Sequence, residues 1–165
     1  MPYANKPERA VSASGSGHFA LIKSHGGSGA SVLARLLDPE GLGFAVEITA
    51  ENSTIPQGAL PVVMARSTGS GTEAAARMLA GWSSPLPAPA LVLVADAPLP
   101  EPRIVSYLLQ GISEKVRAVV KMPYLFDLRE AFEVSGVLVN PHNFAAVERV
   151  RRELLACQEI AEVSS

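Results

Sequence analysis

The residues most able to do chemistry form one short stretch: Ser24-His25-Gly26-Gly27-Ser28-Gly29-Ala30-Ser31. Glycines let a backbone curl so that successive N–H groups face one concavity, and a helix starting beyond it adds partial positive charge. That chemistry is anion recognition, phosphate above all. Gly26, Gly27, Ser28, Gly29, Ala30 and Ser31 are therefore the leading candidates for phosphate or nucleotide binding. His25 is a second-rank candidate whose contact with phosphate would depend on protonation. A ligand-free, tight β–α connection is the plainer reading of the same turn.

Acids suited to metal chemistry are scarce. Of 16 Asp+Glu only three are aspartates, Asp38, Asp96 and Asp127. Asp96 ends an apolar run, where it would ligate Mg²⁺ or cap the Pro-rich turn that follows. Arg66, Ser67 and Thr68 follow another apolar run, where they would hold an anion from the side or cap the next helix. The three histidines are too scattered for a metal motif, and the single Cys157 excludes an internal disulfide.

The frame that must position these residues alternates in kind. Short apolar or alternating runs at 18–23, 44–49, 62–65, 91–95 and 116–121 predict strands. Helical spacing predicts helices over 31–37, 73–82 (with Thr72 as N-cap), 103–111, and after Leu125. A last amphipathic helix over 143–160 sets Phe144, Val147, Val150 and Leu154 on one side and Arg149, Arg151 and Arg152 mostly outward. Trp82 and Tyr124 are either exposed anchors or helix-end packing. The order predicts a three-layer α/β domain, a mostly parallel sheet of about five strands with flanking helices. Residues 1–17 read as a flexible leader, 18–135 as the α/β domain and 136–165 as a C-terminal helix packed on it or extending it. In such folds sites lie at the carboxyl ends of strands, which are the loops after Lys23, Ala65, Ala95 and Lys121.

With 48 % hydrophobic and 18 % charged residues and a net charge of −2, the chain is neither a disordered charged tail nor a basic nucleic-acid binder. No apolar run approaches the roughly 18 residues of a membrane span, so a cytoplasmic location is expected.

The glycine-rich turn with the aliphatic helix after it resembles the deviant Walker A motif of the MinD/ParA group, Lys-Gly-Gly-x-Gly-Lys-Ser/Thr. In that match Gly26, Gly27 and Gly29 take the glycine places and Ser31 that of the magnesium-ligating hydroxyl. His25 stands where the signature lysine would be, and Ala30 where the phosphate-binding lysine would be. The resemblance spans about residues 19–132: Asp96 falls at the base-side Asn, and Met122-Pro123 at the Ile-Pro whose backbone borders the base. Pro123 is thereby a nucleotide-binding candidate. The whole is similar to shortened actinobacterial MinD-like proteins, some found on conjugative elements.

The departures shape the expected function. Both lysines are missing, and the stretch that carries the Walker B aspartate in the group is reduced here to 50–60. Glu47 and Glu51 are the only acids nearby, and neither aligns with the catalytic acid. The resemblance therefore implies a P-loop NTPase-like fold with no catalytic residue. The chain would be a non-hydrolysing binding or scaffold subunit, accessory to a conjugation or secretion ATPase and working on a protein partner, with a homodimer left open. No cofactor is required, and ATP or another nucleotide with Mg²⁺ is the ligand class left open. The alternative is a weak Mg-nucleotide switch or slow, partner-assisted ATPase, using Ser31 and Asp96 around Mg²⁺ with Arg66 or a partner supplying the missing cation. A Rossmann-like transferase, which needs an acid at the end of the second strand, is a third class.

Overall fold

The computed structural model describes residues 18–51 and 53–164, with side chains as far as Glu159; the expected leader 1–17 lies outside them. Five strands, β1 (Phe19–Lys23), β2 (Ala45–Ile48), β3 (Leu60–Arg66), β4 (Ala90–Val94) and β5 (Val119–Met122), pair in the order β2-β1-β3-β4-β5, all parallel. Helices α1 (Ala30–Leu37), α2 (Gly69–Ala80), α3 (Arg103–Ile112) and α4 (Pro141–Ser164) cover the two faces.

Burial on both faces explains the unbroken apolar runs of β3 and β4. Val62 and Met64 face a core shared with Leu33 and Leu36 of α1 and Val147, Val150 and Leu154 of α4. Their alternates Val63 and Ala65 face a second core, with Ala75 and Leu79 of α2 and Val105 and Ile112 of α3. The three-layer α/β architecture and its five parallel strands are as expected, and α4 packs on the sheet.

Three local expectations change. Helix α2 begins at Gly69, and its N-cap is Thr68, whose hydroxyl accepts the Gly71 N–H at 3.0 Å. Thr72 is fully buried in the first turn, with its hydroxyl unpartnered among the described residues. After Leu125 the chain makes 3₁₀ turns at Phe126–Arg129 and Val134–Val139 before α4 starts at Pro141. On α4 the inward position at the start belongs to Asn143, not Phe144. The Asn143 amide donates to Asp127 Oδ2 at 2.7 Å and to the Val137 carbonyl at 3.0 Å, which turns Phe144 out to solvent.

Asp38 closes α1 and organises the entry to β2. Its Oδ1 accepts the Leu42 N–H at 2.8 Å, and Oδ2 accepts those of Gly43 and Phe44 at 2.8 and 3.0 Å. A buried carboxylate satisfying several N–H groups is costly to alter, because each orphaned donor keeps its desolvation penalty. Asp38→Asn turns an NH₂ toward one of these donors and is expected to cost about 2 kcal/mol. Urea unfolding should show this as a lower midpoint with an unchanged m-value.

Candidate functional site

The chain leaves β1 through α1 toward β2 on one side, and leaves β3 through α2 toward β4 on the other. β1 and β3 are neighbours, so the carboxyl edge between them is the topological switch point, where an open α/β sheet forms its binding crevice. The loop 24–29 and the residues Arg66, Ser67 and Thr68 meet there.

Several bonds fix how they meet. The Ser24 hydroxyl donates to the Met64 carbonyl at 2.7 Å and anchors the start of the loop on β3. His25 Nδ1 lies 2.8 Å from the Gly26 carbonyl, and Nε2 accepts the Arg66 N–H at 3.0 Å, which requires the tautomer protonated on Nδ1. Both ring nitrogens are thus used inside the protein, and His25 latches the two loops together. Gly27 and Gly29 take φ of +77° and +92°, the left-handed region that favours glycine. A Cβ on Gly29 would also come 3.2 Å from Val94 Cγ2. Gly29 is the N-cap of α1 and supplies no side-chain bond, so no side chain caps the first turn.

Arg66 spans the crevice. Its Nε donates to the Gly27 carbonyl at 2.7 Å and its Nη1 to the Ala95 carbonyl at 3.4 Å, joining the glycine loop to the end of β4. The Ser31 hydroxyl, at the start of α1, donates to the Glu47 carboxylate of β2, not to Asp96. Ser67 Oγ donates to Glu101 Oε1 at 3.3 Å, and Lys121 Nζ pairs with Glu101 Oε2 at 3.2 Å.

Beside this loop, between α1 and the carboxyl ends of β4 and β5, lies a cavity of about 300 Å³. Val32, Leu33, Leu36, Val94, Met122, Leu125 and Leu128 contribute its apolar walls; Arg66, Asp96, Tyr124 and Arg129 are its polar side chains. A second cavity of about 390 Å³ shares Ala95, Asp96, Met122 and Pro123 with the first and has Ser67, Thr68, Glu101, Lys121 and Arg149 around it.

Of the residues singled out from sequence, Gly29, Arg66, Asp96 and Pro123 line the first cavity, and Ser67, Thr68, Asp96 and Pro123 the second. Gly26, Gly27, Ser28, Ala30 and Ser31 line neither; Ser28 and Ala30 are buried in the loop itself. Asp96 is exposed and makes no hydrogen bond or ion pair among the described residues. The other two aspartates are spent on structure, Asp38 as above and Asp127 on the Asn140 and Asn143 amides. Tyr124, Leu125 and Arg129 escaped the sequence reading as site residues, although the place of Tyr124 and Leu125 directly after Pro123 was a signal. Trp82 packs at a helix end, with its Nε1 donating to the Pro87 carbonyl at 3.0 Å.

One ionisable group that its environment clearly moves is far from this crevice. Burial pushes the Cys157 thiol above its ordinary value, against the pull of Arg117. Cys157 adjoins Gln158, whose amide donates to the His18 and Gly58 carbonyls near the amino ends of β1 and β3.

Among the described residues no cluster of three or more His, Cys, Asp or Glu could hold a metal, and no helix is long and apolar enough to cross a membrane. No family model, curated protein or solved structure matches the chain.

Proposed function

We propose that this chain is a catalytically degenerate, MinD/ParA-like P-loop protein that binds a phosphate-bearing nucleotide without hydrolysing it. It acts in the cytoplasm as a binding or scaffold subunit for a protein partner, consistent with a role beside a conjugation or secretion ATPase. The observation that carries this reading is the Arg66 guanidinium, held between the Gly27 and Ala95 carbonyls at the mouth of the apolar cavity. A loop without lysines gains there a fixed cation, next to a chamber large enough for a ring system. Exposed Phe126, Phe132, Val139 and Phe144 on and around the 3₁₀ turns are apolar surface a partner could cover.

A second reading, the Mg-nucleotide switch or slow ATPase, is favoured by Ser31 and Glu47. A hydroxyl and a carboxylate in contact are the hard oxygen ligands Mg²⁺ takes alongside phosphate oxygens, and Mg²⁺ needs few from the protein. These two residues would hold the ion, which would screen phosphate charge. Hydrolysis further demands a group to position the attacking water and a cation for the developing charge, and the loop offers neither lysine.

Titration of the full chain with ATP and GTP, with and without Mg²⁺, tests both readings. Saturable binding with no phosphate release is expected. Phosphate release lost in Ser31→Ala would replace the first reading by the second, and no binding at millimolar nucleotide would sink both.

A further inference from the structure

We infer that the cavity beside α1 selects a guanine base through Asp96. The inference rests on the nucleotide-binding reading above and adds the identity of the ring. Gly29 and Arg66 border the cavity on the side of the glycine loop, and Asp96 follows Ala95, whose carbonyl accepts from Arg66 Nη1 at 3.4 Å. A cation between two anionic groups keeps phosphate and carboxylate from repelling one another. Val32, Leu33, Val94 and Leu125 contribute apolar surface against which a flat ring can lie.

Asp96 sets the edge chemistry. Of the side chains around this cavity it is the one carboxylate, and it is unpartnered among the described residues. An ionised carboxylate accepts only, through two oxygens side by side. Guanine presents two adjacent donors, N1–H and the 2-amino group, and satisfies both oxygens at once. Adenine presents one donor, its 6-amino group, beside the N1 lone pair, which would face the second oxygen. Cytosine has the same mismatch, and uracil offers a single N–H flanked by carbonyls. Rejection by a carboxylate is therefore built into every base except guanine. A bidentate pair of this kind discriminates by roughly 10- to 100-fold.

Calorimetric titration of the full chain with GDP, IDP and ADP tests the assignment. Hypoxanthine keeps N1–H and lacks the 2-amino group. The expected order is GDP tightest, IDP about tenfold weaker and ADP weakest. Asp96→Ala should bring all three to the affinity of ADP, with an unchanged melting temperature because this exposed side chain holds nothing else. Equal affinities for GDP and ADP in the native chain would overturn the guanine assignment while leaving the nucleotide reading intact. A guanine preference that survives Asp96→Ala would overturn the role of Asp96. Failure of all three ligands to bind at millimolar concentration would remove the nucleotide reading and the inference with it.

Discussion

Gly71→Ala is expected to destabilise the protein by about 2–4 kcal/mol, lowering the melting temperature by roughly 5–15 °C. A Gly→Ala change inside a helix ordinarily stabilises by up to about 1 kcal/mol, because alanine loses less backbone freedom. Here the sign reverses. Gly71 sits in the first turn of α2, where a Cβ would lie 2.6 Å from the Arg66 carbonyl, 2.9 Å from Thr68 Oγ1 and 3.0 Å from His25 Nε2. None of the three can easily move. The carbonyl is backbone, the hydroxyl caps the helix through Gly71 N–H, and the imidazole is the latch that accepts Arg66 N–H. Pushing α2 away breaks the cap, worth about 1 kcal/mol, and parts the two loops of the crevice. Gly111→Ala near the end of α3 is the control, since a Cβ there meets nothing within 4 Å. It should leave the melting temperature unchanged or raise it. A Gly71→Ala protein that melts like the native chain would show that α2 does not seat on His25.

The same turn shows what sequence reasoning can reach. Runs such as β3 and β4 are readable because strands buried on both faces need nothing but apolar residues. The strand order is not local information, since β1 pairs with β3 across the whole of α1 and β2. In the segment Ser67-Thr68-Gly69-Ser70-Gly71-Thr72, hydroxyl residues compete as caps and glycines suggest a turn. The helix starts at Gly69 behind the Thr68 cap, and the approach of Arg66 and His25 to Gly71 is invisible from the segment itself. His25 in a glycine turn suggests an anion contact. Its actual partner is the N–H of a residue 41 positions away. Ser31 meets Glu47 across 16 positions for the same kind of reason. The three aspartates divide by partners equally hidden from the sequence: Asp38 serves the backbone, Asp127 an amide clamp, and Asp96 stands open at the crevice.

Replacing Arg66 by alanine is expected to weaken nucleotide binding about 100-fold while changing the affinity of the corresponding nucleoside by no more than about twofold. The difference between the two ligands is the phosphate, so the split isolates the charge. A guanidinium has five N–H donors, and Arg66 spends one on Gly27 and one on Ala95. The remaining three can meet an anion without breaking either bond, and a side chain already fixed loses little further freedom on binding. Losing hydrogen bonds to a charged group costs about 1.5–3 kcal/mol, which is the source of the 100-fold figure. Arg66→Lys keeps the charge as a point and lacks the planar fork, so it should recover only part of the affinity. Titrating the native chain and both variants with nucleoside and nucleotide in parallel decides the matter. If nucleoside and nucleotide lose affinity equally, Arg66 acts by holding the glycine loop to β4 and touches no phosphate. If neither loses affinity, Arg66 does not stand in for the missing lysine, and its role at the phosphate is overturned.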